Sequence, residues 1–314
     1  MHLITFDAGQ GSRPGVHLDE ATILDLDAAL AQAPAIGEAL FGSVHELIGR
    51  GAAALEAIQR LLQMAARGEL EAAKVPLARA RILAPIPRPA KNVFCVGRNY
   101  VEHIAEGARA QRIAVDLPKY PVFFSKPPTA VIGPNEPIPV QPAVSTNIDY
   151  EVELAVVIGK RGSNIRPGDA FEHVFGYTIV NDVTARDLQR RHGGQFLKGK
   201  GLDGSCPTGP AIVTRDEIAD PGQLAIRLWV NDELRQDGNT RDMIFPIAEL
   251  IASLSEGLTL EPGDLLATGT PSGVGYAMSE PQFLKHGDVV RCEIEGIGRL
   301  VNPVVEVGAA GRSA

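Results

Sequence analysis

The chain has 314 residues, 45% hydrophobic and 22% charged, with 30 Lys and Arg against 38 Asp and Glu for a formal charge of -8 at pH 7. That apolar content is enough to offset chain entropy, which excludes wholesale disorder. The acidic balance excludes a nucleic-acid binder that works through bulk positive charge. Length alone predicts one large or two modest domains. No apolar run approaches the roughly 18 residues a membrane helix needs. The start, MHLITFDAGQGSRPG, lacks a basic segment followed by an apolar one, so no signal peptide is read. Cys95, Cys206 and Cys292 are odd in number and far apart, which fits neither a disulfide framework nor a zinc site. A reducing, cytoplasmic location is the expectation.

In chain order, residues 1 to 30 alternate between short apolar runs and turns, and read as small strands and hairpins. Leu40, Val44, Leu47 and Ile48, then Leu55, Ile58, Leu61 and Leu62, recur at helical spacing. Gly49 and Gly51 separate the two predicted helices. Pro85, Pro87 and Pro89 bias their predecessors toward extended backbone, so this stretch is not helix. A boundary near residue 80 divides a small N-terminal α+β domain, residues 1–80, from the remainder, residues 81–314. That remainder is rich in β-branched runs and Gly/Pro turns, with helical pattern only around 101–110, 184–191 and 246–256. Many strands with few βαβ units predict an α+β, β-rich roll rather than a doubly wound sheet. The last residues, VGAAGRSA, are expected to fray.

Chemistry concentrates in DYEVELAVVIG, residues 149–159. On a strand, Asp149, Glu151 and Glu153 would share a face at a spacing of about 6.6 Å. Carboxylates beside an apolar strand repel at a cost of several kcal/mol unless a cation or a shared proton compensates. A hard divalent cation suits such oxygen donors. The alternative is an exposed edge with solvated glutamates. A second apolar strand, GYTIVND, ends on Asp182 just before a helical pattern, a place for a ligand but, taken singly, more often for a helix cap. His103 and Glu106 stand three apart on a predicted helix, where Glu106 can orient the imidazole as a general base requires. Exposed His-Glu pairs on helices are common, so the pair alone does not decide. There is no second histidine for a zinc-protease helix. Lys198 and Lys200 lie among glycines that allow close approach of a ligand. Neither a phosphate loop nor a dinucleotide fingerprint is present. His192, Arg190 and Arg191 read as a solvated face, and Cys95 and Cys206 as buried thiols without a base partner.

Taken together, NYVEHIAE, DYEVELAVVIG, NDVTARDLQ, a lysine followed by SCPTGP, and GDLLATGTPSGVG resemble the fumarylacetoacetate hydrolase family over roughly residues 85–307. The resemblance implies a mixed β-roll around a divalent metal, most often Mg2+, sometimes Mn2+ or Ca2+. It implies Glu151, Glu153 and Asp182 as the metal ligands, with Asp149 structural. It implies His103 and Glu106 as a water-activating dyad in a lid segment, and Lys200 as the catalytic lysine, with Lys198 structural or exposed. Arg98, Lys126, Gln189 and Thr270 are implied as the groups that bind substrate, Thr270 with backbone amides of its glycine-rich loop. Arg186 is a plausible neighbour of Gln189. The implied activity is metal-dependent hydrolysis of a carbon–carbon bond in a small anionic keto or diketo acid such as an acylpyruvate, within aromatic compound catabolism. Oxo-acid decarboxylation and isomerisation of a 2-hydroxy-dienedioate are the alternatives, and a non-catalytic acid-binding protein is a third. A homodimer is implied, with no nucleic-acid or membrane partner.

Overall fold

The computed structural model describes residues 1–36 and 41–308. Leu40, expected on a helix, and residues 309–314, expected to fray, lie outside the described residues. The element that organises the rest is Val152–Ile158, in which every residue is buried. Such a continuous apolar run marks a strand covered on both faces. It pairs antiparallel with Val174–Asn181 on one side and Leu265–Ala267 on the other. Leu154, Val156 and Ile158 face one core, and Ala155 and Val157 face a second.

The first core lies against a five-stranded sheet, ordered Glu233–Asn239, Ala225–Val230, Val289–Ile294, Gly298–Glu306 and Ile138–Val140. Ile226, Leu228, Cys292, Ile294 and Leu300 from these strands join Leu154 and Val156 in one cluster. Each large side chain buried this way contributes about 1.5–3 kcal/mol. The second core is capped by the helices Val44–Arg50 and Ala52–Ala66, whose Leu47, Ile48, Ile58 and Leu61 pack with Val157 and Ile212. Ladders are antiparallel except at Leu265–Ala267 with Val93–Gly97 and at two short pairings, so the expected β-rich α+β roll is the architecture found.

The first residues form the expected meander, with His2–Asp7, Ser12–His17 and Thr22–Asp25 paired in turn. His2–Asp7 also pairs with Cys206–Thr214, so these strands extend the large sheet. Ser43 Oγ caps the helix Val44–Arg50 by accepting from Glu46 N–H. Gly51 separates the two helices, whereas Gly49, expected to do so too, sits inside the first. The helices Val101–Gln111 and Ile247–Ser255 match the pattern read for them. The third starts at Arg186, later than read, because Thr184 and Ala185 are taken by a two-residue pairing with Ile148–Asp149. Asp182 therefore caps no helix. No helix among the described residues is long and apolar enough to cross a membrane.

Candidate active site

The register Val152↔Asn181 sets the start of one central strand beside the end of its neighbour. Glu151 and Glu153 thus meet Asp182 at a single sheet end, with Asp182 N–H donating to Glu151 O at 2.8 Å. The three carboxylates each offer an oxygen, and these lie within 4.8 Å of one another. All three residues are at most 4% exposed. Asp149 is not on one continuous strand with them, as the alternation predicted. The ladder breaks at Tyr150 and Glu151, between Ile148–Asp149 and Val152–Ile158.

Cations pair with most of these acids. Lys200 Nζ donates to Glu151 Oε2 at 2.5 Å and to Asp182 Oδ2 at 2.6 Å. Arg186 Nη2 donates to Glu151 Oε1 at 2.6 Å, and its Nε to Asp149 Oδ2 at 2.8 Å. Lys126 Nζ donates to Asp182 Oδ1 at 2.6 Å and also reaches the carbonyls of Val183 and Lys200. Four buried carboxylates therefore face three cations, and among the described residues Glu153 is the one left without an ion pair; there its Oε2 accepts only from Gly269 N–H at 2.8 Å. Burial pushes the Glu153 carboxyl well above its ordinary range, and Asp182 and Glu151 push it further. Burial acts on Glu151 as well, but Lys200 and Arg186 prevail and hold its carboxyl well below the usual range. A divalent cation among these oxygens would supply the missing charge, and an all-oxygen donor set is one that a hard cation takes. The residues present fit such an ion.

Above the carboxylates opens a cavity of about 400 Å3 lined by His103, Glu151, Glu153, Arg186, Gln189 and Lys200, among others. His103 Nδ1 is 2.9 Å from Glu106 Oε1. Glu106 is pinned in turn, its Oε2 accepting from Gly273 N–H at 2.8 Å. Gly273 has φ +108, and a Cβ there would lie 1.9 Å from Arg235 O, so only glycine brings this amide to Glu106.

The glycine-rich loop was expected to offer amides to a substrate carboxylate. Instead its amides bind the protein's own acids: Gly269 holds Glu153, Gly273 and Val274 hold Glu106, and Gly275 and Tyr276 hold Asp149. Thr270 lines the cavity, but its hydroxyl donates to Val152 O and accepts from Gln236 Nε2, each at 2.8 Å. Lys126 needs the same correction. It is 0% exposed and absent from the cavity lining, so its charge serves Asp182 and not a substrate. Gln189 lines the cavity with its Oε1 3.4 Å from Arg186 Nη1, and Arg98 lines it while donating to Asp116 O. Lys198 is exposed, and Lys200 is the lysine that reaches the carboxylates. Gly199, read as room for a ligand, gives room to the backbone of Gln189, 2.5 Å from where its Cβ would be. The three thiols are buried and free, and burial pushes each of them up, that of Cys206 to about 11, which disfavours the reactive thiolate.

Among the cavity residues that escaped the sequence reading, two carry groups that can act on a ligand. Arg190, assigned to a solvated face, lines the cavity, and so does Tyr276. The i,i+4 spacing of Arg186 and Arg190 was the available signal, since it puts both on one helix face. Tyr276 arrives from a distant loop and carries no local signal.

Asp149 ties these parts together. Its carboxylate accepts from Tyr150 N–H, Gly275 N–H, Tyr276 N–H and Arg186 Nε, all within 3.1 Å. Asp149→Asn puts an N–H2 group against donors and leaves the Arg186 guanidinium half paired. We expect it to destabilise the fold by about 3–5 kcal/mol in urea denaturation. A loss below about 1 kcal/mol would mean that Asp149 does not hold the loop to Arg186.

The profile of the fumarylacetoacetate (FAA) hydrolase C-terminal family matches residues 92–305. The chain belongs to this family. A similar relative is the oxaloacetate tautomerase YisK of Bacillus subtilis (strain 168), 44% identical over 293 residues, covering 92% of this chain and 95% of the relative. Among solved structures, a fumarylacetoacetate hydrolase from psychrophilic Exiguobacterium antarcticum superposes with TM-score 0.78 and 39% identity, over 98% of this chain and all of that one. A maleylpyruvate hydrolase from Sphingobium sp. SYK-6, solved in complex with manganese (II) ion and pyruvate, gives TM-score 0.74 and 33% identity over 98% of this chain and 99% of its own. The family thus includes both tautomerases and hydrolases, and membership by itself does not choose between them.

Proposed function

We propose that this chain is a divalent-metal-dependent tautomerase that interconverts the keto and enol forms of a small dicarboxylic 2-oxo acid of the oxaloacetate type. This takes up the isomerase alternative in place of the hydrolase expected first. The observation that carries it is the 44% identity to an oxaloacetate tautomerase along almost the full length of both chains. Every residue of the centre comes from residues 81–314, which we take as the catalytic domain, with 1–80 as its accessory domain.

Glu151, Glu153 and Asp182 would hold the ion, which when bound supplies Lewis acidity toward the carbonyl oxygen of a 2-oxo acid. The chain's own groups move the proton. With Nδ1 committed to Glu106, His103 Nε2 is the nitrogen left to take a proton from the carbon next to the carbonyl. A proton delivered to the resulting enolate oxygen completes the exchange, so nothing is consumed. An ammonium has three N–H groups, and Lys200 spends two on Glu151 and Asp182. The third steadies the charge that grows on oxygen. Arg186 keeps Glu151 ionised and in place.

The same dyad supports a second reading, in which His103 activates a water that cleaves an acylpyruvate; the maleylpyruvate hydrolase neighbour favours it. The deciding experiment follows the enol-to-keto relaxation of oxaloacetate with Mg2+ and with chelator, and assays pyruvate release from acylpyruvates in parallel. We expect metal-dependent acceleration of the relaxation without carbon–carbon cleavage. Cleavage of acylpyruvates with no acceleration of the relaxation would replace tautomerase by hydrolase.

A further inference from the structure

The groups described so far account for the oxo-acid end of a substrate and leave its far end unassigned. Two arginines of the helix Arg186–Arg191 stack against Tyr276, with guanidinium carbons 4.4 Å (Arg186) and 5.3 Å (Arg190) from the ring centre. Their environments differ. Arg186 is buried and spent on Asp149 and Glu151. Arg190 is exposed and lines the same cavity, and among the described residues its one partner is the Tyr276 ring on which it stacks. Asp116 and Arg98 also line the cavity, and Arg98 is held by the Asp116 carbonyl.

A guanidinium is a planar fork that matches a carboxylate with two parallel hydrogen bonds. Stacking on an aromatic face fixes that fork before a ligand arrives, so less side-chain freedom is lost on binding. Arg190 thus combines a charge without an ion-pair partner, a fixed orientation and a place on the wall of the cavity that holds the candidate metal centre. We propose that Arg190 is a specificity-determining residue that receives the carboxylate remote from the oxo-acid group, so that dicarboxylic acids are selected over their monocarboxylic analogues. The proposal rests on the reading of this cavity as an oxo-acid site and adds which group reads the substrate's length and charge.

The test uses equilibrium binding, so that it does not depend on turnover. Malate and 2-hydroxybutanoate share a 2-hydroxy acid end and differ by a carboxylate in place of a methyl group. Each is titrated calorimetrically into the full chain at saturating Mg2+, in the wild type, Arg190→Gln and Arg190→Lys. We expect the wild type to favour malate at least tenfold, which is about 1.4 kcal/mol. Arg190→Gln should erase that preference by weakening malate alone, and Arg190→Lys should restore part of it. A parallel Mg2+ titration should be the same in all three, because Arg190 touches none of the carboxylates. A Gln variant that keeps the preference, or that loses both acids equally, overturns the proposal. So does a wild type that binds the two acids alike, and that result leaves the oxo-acid reading standing. A wild type that binds neither acid refutes that reading, and the role of Arg190 falls with it.

Discussion

Glu153→Gln is expected to weaken Mg2+ binding at least a hundredfold and, in chelator, to raise the stability of the protein. The two effects have one cause. Glu153 is 1% exposed, and among the described residues its carboxylate has a single neutral donor, Gly269 N–H, while two other acids stand within reach. An amide of the same shape removes the repulsion and with it one oxygen charge that a cation would need. The stability gain should be on the order of 1–3 kcal/mol, the scale of a buried group that lacks its proper partner. The pH dependence has a definite sign. The folded carboxyl lies above the ordinary 4.5, so the native state keeps a proton that the unfolded chain releases. The Glu153 contribution to the stability of the metal-free wild type should therefore be fully present below about 4.5 and be lost as pH climbs toward the raised value, whereas the Gln variant lacks this slope. Scanning calorimetry with chelator across this range and a Mg2+ titration check both parts. An unchanged Mg2+ affinity would remove Glu153 from the ligand set.

His103→Asn should do the opposite, sparing the metal and stopping the reaction. A positioned general acid or base contributes roughly 10²–10⁴-fold, and the loss in turnover should fall in that range. His103 is hydrogen-bonded to Glu106 and to none of the three carboxylates, so Mg2+ affinity should stay within about threefold. Glu106→Gln should cost less in turnover and more in stability, since Glu106 also anchors the amides of Gly273 and Val274. Steady-state relaxation of oxaloacetate, set beside a metal titration of the same variants, separates the roles. A His103→Asn variant with wild-type turnover would take the dyad out of the mechanism.

How much of this was legible in the sequence depends on how far apart the partners lie. His103 and Glu106 could be paired on paper because one helical turn brings them together. Glu151, Glu153 and Asp182 stood out because acids beside apolar strands demand a counter-charge. The buried strands were visible as unbroken apolar runs. What escaped reading was set by contacts between distant segments. The glycine-rich loop looked open to a ligand, yet its amides close on Glu106, Glu153 and Asp149 from elsewhere in the chain. Lys126 looked like an anion contact, and three internal oxygens consume its charge. Arg190 looked like surface until Tyr276 came beneath it. The break at Tyr150 was hidden because alternation continues in the letters where the ladder stops.

The pairing of His2–Asp7 with Cys206–Thr214 has a bearing on biosynthesis. During synthesis the strand His2–Asp7 has its outer neighbour, Ser12–His17, almost at once; on its other edge Thr5–Asp7 pair with Arg81–Leu83, but His2 and Leu3 must wait until Ile212 and Val213 have been made. At about 5–20 residues per second that interval is on the order of ten seconds or longer. Through it, that edge of the nascent meander stays only partly paired, and an open edge is a template for pairing with another chain. Closure of that seam comes after the helix Leu197–Lys200 has been made, so the sheet is sealed only once the lysine that reaches the carboxylates is already in the chain.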